Sequence, residues 1–161
     1  MTISIHKASR GFFVDSVKSN VWDAPPMVFL QKKGNDKMML CLLEGIDTVD
    51  FLRAIERREP VVMAQLGDLP RGVQGLAVHG EGWALKKPTP ADLEWVQTHS
   101  IADHPRGCEV KTLVSYDGKM FQSLTLFRGD DEPTEERGKA LKLGGRMPSA
   151  LSGAFEELNR L

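Results

Sequence analysis

The chain has 161 residues, 41% hydrophobic and 27% charged, and its 21 basic and 22 acidic side chains leave a formal net charge of −1. That length supports one domain with its own core, and the balanced charge gives no global field toward nucleic acid or an anionic membrane. Two cysteines make no disulfide framework, the N-terminus lacks the apolar stretch of a signal peptide, and no segment approaches a membrane span; the chain therefore reads as cytoplasmic with reduced thiols.

In chain order, "TISIHKA" and "GFFVDSV" read as short strands separated by the turn signal "SRG". "NVWDAPP" breaks the pattern, because Pro25 and Pro26 exclude a central ladder position. "MVFLQKK" and "KMMLCLLE" flank "GND" as a hairpin. A helix follows: Asp47 or Thr48 can cap it, Val49, Leu52 and Ile55 keep helical spacing, and Pro60 ends it. "VVMAQL", β-branched and apolar, reads as a buried strand, and "GDLPRGVQG" as a loop.

"LAVHGEGWALK" returns to strand, and "KPTPADLEWVQTHS" starts a helix with Thr89 as cap, Pro90 in the first helical position and Asp92 in the first turn. "EVKTLVSY" and "KMFQSLTLF" enclose Asp117-Gly118, a hairpin signal whose two turn positions are expected at positive φ. The acidic "GDDEPTEE" reads as a solvated loop, "PTEERGKALKL" as a short helix, Gly144-Gly145 as a break, and "PSALSGAFEELNRL" as a final helix with Leu151, Ala154, Phe155 and Leu158 on one stripe. The fold class is α+β: a single domain with a mostly antiparallel curved sheet or partly closed barrel, two to four helices over one face or an end, and a C-terminal helix. Residues 1–128 form the sheet domain, 129–148 a loop or linker with a short helix, and 149–161 a helix docking on the domain or on a partner.

The densest chemistry lies in residues 76–110. Period-two alternation sets His79, Glu81 and Trp83 on one strand face, with Gly80 and Gly82 on the other, where a ring or another backbone can approach. These five are the ligand-binding candidates; the bland alternative is a solvated face and a bent strand. Cys108 with His104 as its base, oriented by Asp103, is the catalytic candidate, with Arg106 lowering the thiol pKa. His99, His104 and Cys108 match no zinc spacing, so no metal is expected, and His99 fits the last turn of a helix. Phe12, Phe13 and Trp22 offer an exposed-looking aromatic surface, while Cys41 sits in an apolar run and Cys108 nearer the surface.

The order "KMMLCLLEG", "DTVDFLRAIERR", "EPVVMAQL", "VQGLAVHGEGWAL" and "PADLEWVQ" loosely resembles the split-barrel flavin-binding proteins related to pyridoxamine-phosphate oxidase, in which a strand, a short helix, a Pro-preceded strand and a "V-x-G-x-A" strand recur. The resemblance covers residues 37–97. It lacks that family's N-terminal helix, its hairpin motif and an assignable FMN-phosphate cluster. It implies FMN as a cofactor near His79, Glu81 and Trp83. The reading the residues favour is instead a small binding protein of the inhibitor, immunity-factor or regulator type, without catalysis or cofactor. Its partner is expected to be another protein, with strand edges and the terminal helix offering a route to a homodimer, and nucleic acid and membrane are not expected as partners.

Overall fold

The structure is a computed structural model that describes residues 3–18, 26–34, 38–43, 45–67, 72–141 and 146–160. Its elements are α1 (Ile5–Lys18), β1 (Met27–Lys32), β2 (Met38–Leu42), α2 (Thr48–Glu56), α3 (Pro60–Leu66), β3 (Val73–Ala84), α4 (Pro90–Trp95), a 3-10 turn (Ile101–Asp103), β4 (Cys108–Tyr116), β5 (Phe121–Phe127), β6 (Thr134–Gly138) and α5 (Arg146–Leu158). The strands make one open sheet in the order β2-β1-β3-β4-β5-β6, and every pairing is antiparallel. An α+β domain with an antiparallel sheet and a C-terminal helix is therefore present; among the described residues the sheet is not closed and there are five α-helices rather than two to four. Trp22, Pro25, the hairpin tip at 35–37 and the Gly144-Gly145 break lie outside the described residues.

Three segments differ from their sequence reading. "TISIHKA" and "GFFVDSV" join into α1, because Ile5, Ser9 and Phe13 recur at the four-residue helical spacing and are all buried. Gly11 falls on the exposed side of that helix, and the Ser9 hydroxyl donates to the Ile5 carbonyl at 2.6 Å, so neither breaks it. "VVMAQL" is α3, not a strand: Pro60 sits in the first turn, and only Val62 and Leu66, four apart, are buried. "PTEERGKALKL" holds β6 rather than a helix, since the pairing of Glu135 with Leu124 and Arg137 with Gln122 extends the sheet.

Helices cover both faces of the sheet, not one. On the first face, Ile5 and Phe13 of α1 pack with Met27, Phe29, Ala77, Leu113, Leu124 and Leu126. On the second, α2, α3 and α5 bury Leu52, Ile55, Leu66, Leu151, Ala154 and Leu158 against Val28, Leu30, Leu76 and Val78. Strand β3 lies between β1 and β4 and is buried on both sides through its first half, which makes it the spine of the molecule. The α5 stripe packs intramolecularly, and Arg58 fastens it: its Nε meets Glu157 Oε1 at 2.5 Å from a left-handed φ of 51°.

The hairpin between β4 and β5 forms as expected, but only Gly118 takes positive φ (91°), while Asp117 accepts the backbone N–H groups of Lys119 and Met120 at 2.8 Å each. Gly75 of β3 is where α1 lands: a Cβ there would sit 2.3 Å from Ile5 Cγ2. Gly75→Ala is expected to destabilise the protein by about 1–3 kcal/mol through this overpacking. Urea unfolding followed by tryptophan fluorescence measures it, and an unchanged midpoint would contradict the close seating of α1.

Candidate functional site

The side chains of β3 that face α1 run from buried to exposed. His79 lies under α1, its ring edge-on to Phe13 at 5.5 Å between centroids. Glu81 reaches solvent and meets the buried Lys111 ammonium, directly across the ladder, at 3.2 Å. Trp83 is 45% exposed. The three share a face, as the alternation predicts, but not an environment. Gly80 and Gly82 point to the other face, where a Cβ at Gly80 would meet only Thr112 Oγ1 at 3.7 Å and one at Gly82 would meet nothing within 4 Å. On β3 the close approach is made instead at Gly75.

Burial is the main reason the His79 pKa falls to about 4; the Lys111 charge adds to the effect and Glu81 opposes it. Its Nδ1 is buried without a hydrogen-bond partner among the described residues, so His79 is a neutral core histidine whose protonation opposes folding.

A second histidine arrangement is not legible in the sequence. His6 of α1 meets Ser115 Oγ through Nδ1 at 2.6 Å and Asp117 Oδ2 through Nε2 at 3.3 Å. Ser115 and Asp117 are two apart and near the end of β4, while His6 arrives from 109 residues away, so no local spacing announces the group. Nε2 faces Asp117 as an ion-pair contact outside hydrogen-bond geometry, and the direction of the Nδ1–Ser115 bond follows the ring tautomer. Serine, histidine and carboxylate in this order suggest a nucleophile. Ser115, however, is only 1% exposed beneath α1, so no substrate reaches it; the group pins α1 to β4. Burial lowers the His6 pKa, with Asp117 opposing.

The corner between α4 and β4 holds the remaining sequence candidates. Thr89, the expected cap, and Asp92, the expected first-turn acid, join in a capping box, with Thr89 N–H donating to Asp92 Oδ2 at 2.8 Å and Asp92 N–H to Thr89 Oγ1 at 3.2 Å. Asp92 also accepts from Arg106 and, at 3.0 Å, from His104 Nε2. The Arg106 hydrogen bond, then those from Thr89, hold its carboxyl well below the usual range. His104 Nδ1 accepts the Arg106 backbone N–H at 3.0 Å, so both ring nitrogens are engaged and the orienting acid is Asp92, not Asp103. The Cys108 thiol turns to the Arg106 carbonyl at 3.5 Å. His99 lies beyond the end of α4, stacked on Trp95 at 4.1 Å and directed at the Trp95 carbonyl. Among the described residues no three His, Cys, Asp or Glu side chains are grouped to hold a metal, and no helix is long and apolar enough to cross a membrane.

The last feature is an edge. Strand β2 ends the sheet, and Met38, Leu40 and Leu42 project to the α1 face opposite Gln31, Phe29 and Met27. Leu40 and Leu42 remain 43% and 59% exposed, and Phe12 of α1, packed edge-on to Phe29 at 5.1 Å, is 37% exposed beside them. Ile3 joins this side through its carbonyl, which accepts from Gln31 Nε2 at 2.8 Å. Phe13, expected at the surface with Phe12, is buried one residue further round the helix. Cys41 points to the opposite face and packs at the margin of that core. Comparison with family models, curated proteins and solved structures finds no match to this chain.

The His79 geometry sets a pH dependence. A histidine whose folded pKa lies below its unfolded value contributes full stability above about pH 6.5, and that stability is lost as pH falls to about 4, roughly 3 kcal/mol in all. His6 acts in the same direction. His79→Leu is expected to remove most of the loss when urea unfolding is compared at neutral pH and near pH 4. An unaltered acid dependence in the variant would contradict this assignment.

Proposed function

We propose that this chain is a non-catalytic binding protein that acts through protein–protein contact, and that the contact runs along the edge of β2. The observation supporting this reading is the composition of that edge. Met38, Met39, Leu40, Cys41 and Leu42 form a terminal strand with no charge and no proline, and two of its leucines face solvent. Strands that stay unpaired in natural proteins carry charges, prolines or bulges that deter further pairing. The opposite edge does so: β6 reads Thr-Glu-Glu-Arg-Gly. An unguarded apolar edge beside an exposed phenylalanine suits strand addition, in which main-chain hydrogen bonds give affinity and alternate side chains give specificity.

The histidine arrangements favour the same reading. Those around His6 and His104 are occupied by their own partners, and Ser115 and His79 are buried. A role as inhibitor, immunity factor or regulator is compatible with such a chain, and its two unpaired thiols fit a reducing compartment.

A photo-reactive phenylalanine analogue in place of Leu42 is expected to give a discrete covalent adduct with a polypeptide in cells, abolished by Leu40→Lys. The same analogue in place of Glu136 on β6 is expected to give none. Equal adducts from both positions, or none from Leu42, would contradict the proposal.

A further inference from the structure

We propose that the occupant of the β2 edge is a second copy of this chain, paired antiparallel about a two-fold axis through Leu40; this rests on the edge reading above. The hydrogen-bond phase of the edge is set by one observed bond, Leu43 N–H to the Pro26 carbonyl at 3.0 Å. In an antiparallel ladder inward and outward residues alternate, so Leu43, Cys41 and Met39 turn their amides to β1, while Met38, Leu40 and Leu42 turn theirs outward. The outward set is symmetric about Leu40. A two-fold there places Leu40 opposite Leu40 of the second copy and Met38 opposite its Leu42, and it engages every outward amide and carbonyl of β2 in both copies.

Charge fixes the direction. In sequence the β1–β2 hairpin carries Lys32, Lys33 and Lys37 against one acid, Asp36, a net positive end, whereas Glu44, Asp47 and Asp50 follow the other end of β2. Antiparallel pairing lays the basic end of one copy beside the acidic end of the other, while parallel pairing would set like against like. The two-fold stands perpendicular to the sheet, so the α1 faces of both copies lie on the same side. Phe12, Leu40 and Leu42 of each then merge into one apolar stripe and cover each other. Because β6 carries Glu135, Glu136 and Arg137, edges of unlike kind do not pair head to tail, and the assembly closes at two copies.

The register has a chemical signature. Met39 of one copy and Cys41 of the other form a non-hydrogen-bonded pair, with Cα atoms about 4.5 Å apart, within disulfide reach, whereas within one chain the two positions are successive residues on one strand face, about 6.5 Å apart and with parallel Cβ directions. In a Met39→Cys, Cys108→Ser variant, mild oxidation is expected to give a covalent dimer whose peptides join position 39 to Cys41. Glu136→Cys with Cys108→Ser serves as the control for random collision. Native mass spectrometry of the unaltered protein at tens of micromolar is expected to show the dimer, and Leu40→Lys to raise its dissociation constant at least about tenfold. A monomeric mass with no 39–41 disulfide above the control overturns the second copy. If Leu42 then cross-links in cells to a different polypeptide, the edge reading stands while this inference fails; if it cross-links to nothing, both fail.

Discussion

One geometric constraint governs this molecule: among the described residues, a single helix packs over one face of a six-stranded sheet. A helix of 14 residues is about 21 Å long and about 10 Å across, whereas six strands at about 4.8 Å spacing span about 24 Å between the outermost two. Helix α1 is therefore wide enough for about two strands, and it seats on β3 and β4, where Gly75 lets Ile5 approach. The other face has no such shortage, because α2, α3 and α5 share it. What α1 leaves at its flanks is resolved in opposite ways. Toward β6 the margin is polar, with Arg10 on Glu135 at 2.6 Å and Arg137 on Gln122 at 3.2 Å. Toward β2, among the described residues, it is apolar and open, and that asymmetry underlies the interaction surface proposed there.

The same constraint explains the buried polar residues under α1. Seating one narrow helix requires an orientation as well as apolar area, and hydrophobic contact alone does not give direction. His6 against Ser115 and Asp117 fixes the start of the helix, and the Ile3 carbonyl on Gln31 fixes the chain just before it. These contacts place histidine, serine and carboxylate side by side without making an active site, because catalysis also needs access for a substrate. The corner of Asp92, His104 and Arg106 follows the same logic on a smaller scale, joining the cap of α4 to the start of β4.

How much was legible in the sequence followed the range of the interactions. Local chemistry was readable: the capping box at Thr89 and Asp92, the α2 stripe, the β4–β5 hairpin and the α5 stripe all rest on contacts within a few residues. The β3 alternation was also readable, including which residues share a face. Helix α1 is ambiguous in sequence because Ile3 and Ile5 fit alternation while Ile5, Ser9 and Phe13 fit helical spacing, and packing on Gly75 decides between them. Helix α3 is not legible in sequence because a short apolar run after proline is ambiguous by periodicity. The resemblance to split-barrel flavoproteins needed that run to be a strand, and it is a helix in a chain whose sheet is open. The His6 group and the β2 edge depend on which strands become neighbours, which no window of sequence contains.

The central claim is that the outward amides of β2 are hydrogen-bonded in solution by another strand. Hydrogen exchange read residue by residue, at high protein concentration and after strong dilution, tests it most directly. The account predicts slow exchange at Leu40 and Leu42 in the concentrated sample and fast exchange on dilution, with Phe29 and Leu30 of β1 protected in both. Fast exchange at Leu40 and Leu42 at every concentration, beside a protected β1, would contradict it.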